Sequence, residues 1–159
     1  MSAAPAITIE QASPRDAGEI AALYLASRAE ALPWLRRVHS DEDVRDWIAT
    51  ARLARGETWV AREAGRILGF LCLDGEDLDQ LYLLPGQFRR GIGSLLLAKA
   101  KECSPERLQL FTFQRNMAAR AFYEGHGFRL VDLSDGERNE EGEPDVLYEW
   151  HRSFSDEAL

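Results

Sequence analysis

The chain has 159 residues and a mass of 17.9 kDa, enough for one domain with a substantial buried core and no covalent staples. Hydrophobic residues make up 45% and charged residues 29%, a globular composition that excludes disordered and collagen-like classes. The net charge of -8 lies wholly in the last 28 residues: Asp132 to Leu159 carries ten acids and two bases, against 17 of each in residues 1–131. This balance argues against nucleic acid or an anionic membrane as the main partner and for a cationic one.

Ile7 to Glu10 reads as a first strand, after which Ser13-Pro14-Arg15-Asp16 starts a helix with Ser as the cap and Pro at the first position. Ile20, Leu23, Tyr24 and Ser27 form its buried stripe, and Pro33 ends or kinks it. Ser40 to Asp43 caps a second helix, whose Val44, Trp47, Ile48 and Ala51 recur at helical spacing and which Gly56 closes. Glu57–Arg62 and Arg66–Leu73 flank the turn 63–65 as an antiparallel hairpin, and Leu78–Leu84 is a further strand stopped by Pro85. A helix follows over Gly91–Cys103, with Ile92, Leu95 and Leu96 on one face. Then come a strand Leu108–Phe113, a short helix Met117–Glu124, a strand Phe128–Leu133, an acidic loop Asp135–Asp145 and a last strand Val146–Trp150. The order β-α-α-β-β-β-α-β-α-β-β is a mixed α/β layout around one sheet, a single domain over 1–159 with an acidic tail from about residue 152.

Cys72 and Cys103 have no metal or redox spacing, and the three scattered histidines give no zinc site, so no metal is expected. No signal-like N-terminus and no apolar stretch of membrane length are visible; the expected location is the cytoplasm.

The chemistry concentrates in two segments. In the first, the strand Leu81–Leu84 runs into Pro85-Gly86-Gln87-Phe88-Arg89-Arg90-Gly91-Ile92-Gly93-Ser94, which opens a helix. Successive backbone N–H groups and the positive helix end can face an anion there, with glycines allowing close approach and Arg89 and Arg90 adding charge. A plain glycine turn with solvent-facing arginines is the other reading of this segment alone. It is neither a P-loop, since no Gly-Lys-Ser/Thr follows, nor a dinucleotide fingerprint, since the third glycine is missing. The second segment, Asn116-Met117-Ala118-Ala119-Arg120-Ala121-Phe122-Tyr123-Glu124-Gly125-His126-Gly127-Phe128, begins 25 residues beyond Gly91.

Together the two segments resemble the GNAT superfamily of acetyl-CoA-dependent N-acetyltransferases. Its phosphate loop reads Gln/Arg-x-x-Gly-x-Gly/Ala, and its next helix reads Asn-x-x-Ala-x-x-Phe-Tyr-Glu-x-x-Gly-Phe. The second pattern is matched at every fixed position, and the element order agrees from end to end. One position departs: Phe88 stands where the family carries Gln or Arg, with Gln87 one residue earlier.

The resemblance implies a splayed central strand pair and the co-substrate acetyl-CoA. Its pantetheine arm would pair with the backbone of Tyr82 and Leu83, and its pyrophosphate with the amides of Arg89, Arg90, Gly91, Ile92, Gly93 and Ser94. Asn116 would bond the pantetheine region, cap its helix, or do both. Tyr123 would be the general acid that protonates the departing thiolate, with a packing role as its alternative. Direct attack by a neutral amine is the implied reaction, the amide of Leu83 polarising the carbonyl. Asp79 and Glu76 are candidate bases, and the base stays unassigned. The acceptor site would be walled by Trp34, His39, Tyr82, Phe113 and the loop 139–145, where Glu140, Glu141 or Asp145 could attract a cationic amine. Neutralising Glu140 and Glu141 should then raise the KM for the amine alone. The acceptor is a small molecule or a protein amino group, and homodimers are common in the family. A GNAT-fold acyl-CoA sensor without turnover is the alternative function, and a nucleotide-binding α/β protein a third.

Overall fold

The computed structural model describes residues 6–53 and 57–157. Seven strands form one sheet in the order β1-β2-β3-β4-β5-β7-β6. They are β1 (Thr8–Gln11), β2 (Glu57–Glu63), β3 (Arg66–Asp74), β4 (Asp77–Leu83), β5 (Arg107–Phe113), β6 (Arg129–Ser134) and β7 (Asp145–His151). The helices are α1 (Ala17–Ala31), α2 (Asp41–Trp47), α3 (Ile92–Cys103), α4 (Met117–Gly125) and α5 (Arg152–Glu157). The sequence order of elements is as expected, with α5 folding where the composition suggested only an acidic tail. No helix among the described residues is long and apolar enough to cross a membrane.

Several boundaries carry physical information. Ser13 does not cap α1 directly: its amide and hydroxyl both donate to Asp16, at 2.9 and 3.2 Å, and a 3₁₀ turn, Pro14–Asp16, precedes the helix. The Asp16 carboxylate also meets Arg62 of β2 at 3.2 Å, so the turn is fastened to the sheet. Helix α1 stops at Ala31 because Leu32, preceding Pro33, leaves the α region at φ -127° and ψ 54°. Ser40 caps α2 by accepting the Asp43 amide at 3.1 Å. The expected second helix is shorter than its pattern: α2 ends at Trp47 and runs into a π turn, Ile48–Arg52, while Gly56 lies outside the described residues. Ala64 and Gly65 both have positive φ, so the hairpin closes in two residues and Glu63 pairs with Arg66.

Both faces of the sheet are covered. Against one face pack Ile20, Leu23 and Tyr24 of α1 and Val44 and Ile48, meeting Val60, Ile67, Phe70 and Cys72. Against the other pack Ile92, Leu96, Leu97 and Ala100 of α3 with Tyr123 and Phe128, over Leu71, Leu78, Leu108 and Tyr148. Leu95, expected on the buried stripe, is 43% exposed, because the stripe runs 92-96-97-100 and leaves position 95 on its flank. Gly69 lets these layers close: a Cβ there would stand 2.7 Å from Leu83 Cδ2 and 3.1 Å from both Leu96 Cδ1 and the Tyr82 carbonyl oxygen.

The decisive irregularity lies at the sheet centre. Among the described residues strands β4 and β5 are the one parallel neighbour pair, and they share a single register pair, Asp77 with Gln109, before separating. On its other side β4 stays paired to β3 from Asp74–Asp77 to Gly69–Leu83, with a bulge at Asp79. From residue 78 onward β4 therefore has hydrogen-bonding groups facing a gap that no strand among the described residues fills.

Candidate active site

On the α3 side of that gap, Gly91 takes φ +80°, the left-handed cap from which α3 starts. Leu95 N–H is bonded to the Gly91 oxygen at 3.0 Å, and the amides of the turn before it have no acceptor inside the helix. They form the donor set that an anionic group at this helix end requires. Gly93 has a second reason to be glycine: a Cβ would stand 3.2 Å from the Phe122 ring, so it brings α3 and α4 into contact. Arg89 holds φ +66° and is exposed. Arg90 is not a free cation of this loop. It pairs with Glu63 of β2 at 2.7 Å and donates to Gln87 at 2.7 Å, and the same contact holds the Glu63 carboxyl below its ordinary range. Phe88, at the departing position, is 53% exposed. Ser94 Oγ and His126 Nε2 lie 3.1 Å apart, a neighbour that the sequence did not indicate.

Helix α4 carries the other half of the motif. Asn116 Oδ1 accepts the Ala119 amide at 3.2 Å, so its capping role is present in the geometry. Tyr123 is buried among Phe122, Phe128 and Tyr148, at ring-centroid distances of 5.2, 5.4 and 6.5 Å. Among the described residues its hydroxyl has no hydrogen-bond partner. Burial, reinforced by Tyr82, raises the phenol above its ordinary pKa, so a group already protonated at neutral pH holds its proton more strongly. Glu124, next in the motif, instead accepts the Tyr148 hydroxyl and so helps hold α4 on β7.

On the opposite face of the sheet opens a cavity of about 780 Å³. Its apolar wall is Leu25, Ala29, Leu32, Leu35, Val44 and Trp47; its polar lining includes Tyr24, Arg28, Gln80, His39, Glu140 and Glu141. Gln80 comes from the free stretch of β4, which places the cavity and the α3 end on the two sides of one gap. Tyr24 stands edge-on to Tyr82 at 5.1 Å and to Trp47 at 5.7 Å.

The acids and aromatics expected here are brought to the region, but most of them are committed to other side chains. Glu141 pairs with Arg28 at 3.2 Å, and Glu140 meets His39 Nε2 at 2.7 Å. His39 is exposed, and so has no core role. Asp145 does not line the cavity: it is 4% exposed and holds Arg138 at 2.9 Å and Asn139 at 3.2 Å, which organises the loop from beneath. Trp34 and Phe113 pack edge to face at 6.1 Å beside the cavity, with the Arg115 guanidinium 4.1 Å from the Trp34 ring centre. Asp79 is clamped by Arg52 at 3.0 Å, and Glu76, just before β4 and three residues from Asp79, meets Arg107 at 3.4 Å. Sequence reasoning missed Arg28, Trp47, Gln80 and Arg52. Only the i, i+4 spacing of Tyr24 and Arg28 offered a local signal for any of them.

Cys72 is buried against Thr58 and Cys103 ends α3; burial pushes both thiols up to about 11, so neither is a ready nucleophile. Among the described residues no cluster of metal-ligating side chains occurs.

A sheet that parts at β4 and β5, a helix N-terminus on one side of the gap and a cavity on the other define an acyltransferase of the GNAT type. Comparison with known proteins agrees. The model of the acetyltransferase (GNAT) domain matches residues 54–130. The peptidyl-lysine N-acetyltransferase YiaC of Escherichia coli is 31% identical over 127 residues, which cover 79% of this chain and 86% of YiaC. Among solved structures, apo YjaB from Escherichia coli superposes with a TM-score of 0.75 at 23% identity, covering 91% of this chain and 97% of that one. YncA from Salmonella typhimurium, solved with acetyl-CoA, gives 0.68 at 18% identity, covering 92% and 94%. The chain belongs to the GNAT family and is an N-acetyltransferase.

Proposed function

We propose that the chain transfers the acetyl group of acetyl-CoA to the side-chain amine of a lysine in a peptide or protein, with the two substrates meeting in the β4–β5 gap. The observation that carries this reading is the single register pair between those strands, with a helix N-terminus and a cavity on its opposite sides. The donor set at the start of α3 suits a pyrophosphate, and the unpaired edge of β4 at Tyr82 and Leu83 suits an amide-bearing pantetheine arm. In bound form that co-substrate supplies the activated acetyl group; everything else falls to residues of the chain.

The turn 89–94 binds through its backbone amides, Arg89 adds positive charge, and Arg90 acts mainly by fixing Gln87 and Glu63. Asn116 orders the first turn of α4 and so sets the position of Tyr123. Tyr123, protonated at neutral pH as any phenol is, gives its phenolic proton to the departing sulfur. The amide of Leu83 polarises the acetyl carbonyl. The amine enters past the apolar wall of the cavity, where desolvation favours its neutral, nucleophilic form; its nitrogen bonds the acetyl carbon as the C–S bond breaks, and the proton it then sheds passes to solvent at the cavity mouth. Asp79 is not needed as a base in this scheme, since its carboxylate is engaged by Arg52 as a structural partner. The lysine acceptor is supported by the names of the relatives, YiaC and YjaB among them, and a cavity mouth open to solvent at His39 and Arg36 leaves room for a polypeptide.

The test is thiol release from acetyl-CoA with a panel of lysine peptides, free amino acids, polyamines and aminoglycosides, run with wild type and Tyr123→Phe. Tyr123→Phe should lose about 10²–10⁴-fold in kcat. It should keep its melting temperature and its affinity for CoA, because no buried partner of the hydroxyl is left unsatisfied. Release with small amines and none with peptides would overturn the acceptor. CoA binding with no acceptor turned over would favour a sensor.

A further inference from the structure

We propose that Arg28 is a positioning residue of the acceptor site, holding the β6–β7 loop over the cavity through Glu141, and that Glu141 is a wall anchor rather than a contact for the incoming amine. This rests on the reading of the α1-side cavity as the acceptor site.

The loop 135–144 is rigid within itself. Gly136 crosses Gly142 so closely that a Cβ on Gly136 would stand 2.5 Å from the Gly142 carbonyl carbon and oxygen. The Asn139 side chain donates to the Glu143 oxygen at 2.7 Å and accepts the Glu143 amide at 3.2 Å, while Arg138 and Asp145 close the base. Such a loop shifts as one body, and its seat on the rest of the molecule is set by its external ties. Among the described residues three ion pairs reach it from the cavity side of the molecule, besides the Gln114 amide, which donates to the Pro144 oxygen at 2.9 Å at the base of the loop. His39–Glu140 joins two exposed side chains, and Arg115 in its pair with Glu143 is 53% exposed; both are screened by water.

Arg28–Glu141 is different in kind. The two side chains are only 21% and 14% exposed. The guanidinium also donates to the Tyr24 hydroxyl one helical turn earlier and lies 5.1 Å from the centre of that ring. One Arg28 fork therefore joins α1, an aromatic of the cavity floor and the loop 113 residues away in sequence. The pair also neutralises Glu141, so a protonated lysine gains little by approaching it, and the amine is not held as the unreactive ammonium ion. The acidity of the loop then serves to seat the loop, and acceptor selection follows from the shape of the wall it builds.

Three variants, Arg28→Met, Glu141→Gln and the double, separate the alternatives by sign. Amide hydrogen exchange on the unliganded protein should show residues 135–145 exchanging faster in both single variants, with no further gain in the double. With a lysine peptide as acceptor, each single variant should raise the acceptor KM by about 3-fold or more, the double no more than the worse single, and the KM for acetyl-CoA should stay within about 2-fold. If Glu141 instead contacts the amine, Glu141→Gln raises the acceptor KM while Arg28→Met lowers it by freeing the carboxylate, and the proposal fails. Unchanged loop exchange in both single variants also overturns it. If wild type acetylates no amine of the panel, the acceptor reading falls, and the exchange measurement still decides whether Arg28 seats the loop.

Discussion

Replacing Gly69 by alanine tests whether the packing of β3 sets the opening at β4. The new methyl would stand 2.7 Å from Leu83 Cδ2 and 3.1 Å from Leu96 Cδ1 and the Tyr82 carbonyl oxygen, where ordinary contact begins near 3.4 Å. Leu83 can turn its side chain, but Leu96 is fully buried and the Tyr82 carbonyl is backbone, so β4 must give way. Overpacking of this sort costs about 1–3 kcal/mol, and exchanging a strand glycine for alanine returns about 0.5–1 kcal/mol of chain entropy. The net loss is up to about 2.5 kcal/mol, a fall of at most roughly 10 °C in Tm for a chain of this size. Because the displaced atoms belong to Tyr82 and Leu83, the KM for acetyl-CoA should rise about 3-fold or more, the effect of some 0.7 kcal/mol at the binding edge. Thermal unfolding with and without CoA, together with thiol-release kinetics, reads both quantities. A variant whose Tm and KM for acetyl-CoA both match wild type would refute the idea that Gly69 sets the position of β4.

Two further substitutions probe the carboxylates. Asp79→Asn breaks the clamp from Arg52, whose buried Nε lacks a partner among the described residues, and should lower stability by about 1–3 kcal/mol. Its kcat should stay within about 3-fold of wild type, since loss of a true general base typically costs 10²-fold or more; a fall of that size with loss of the acidic limb of the pH profile would make Asp79 the base. For Asp16, burial works to raise the carboxyl, but the Ser13 amide and Arg62 outweigh it and hold the pKa below the ordinary value. A depressed pKa means that the stabilisation is present above the ordinary aspartate range and is lost as pH falls through the folded-state value. Asp16→Asn should therefore cost about 1–3 kcal/mol at pH 7, and the Tm gap between the two proteins should close as pH drops below about 4. A gap that stays constant down to pH 2.5 would contradict this assignment.

Much of the architecture could be read along the chain because it rests on local rules. Helical spacing placed Ile20, Leu23, Tyr24 and Ser27 inward, and all four are buried. Pro33 and Pro85 marked the ends of elements, and the hairpin turn expected over 63–65 closes one residue tighter, at Ala64-Gly65, with Glu63 still in its strand. The two motifs carried the family because glycines at a helix start and an aromatic pair on the next helix are sequence-local requirements of the same site. Leu95 went the wrong way, since a 3.6-residue period leaves two flanks and only the packed sheet chooses between them.

The sequence by itself determined the order of elements and the family. It also placed the whole net charge in the last 28 residues, and there its reading of function ran short. Tertiary structure decided what those acids do: Glu141 answers Arg28, Glu143 answers Arg115, and Glu149 answers Arg107, each a base from the charge-balanced part of the chain. Net charge is a sum over residues and is fixed by composition. The field at a site depends on which charges lie within a few ångströms of one another, and partners 28 to 113 residues apart are brought together only by the folded sheet.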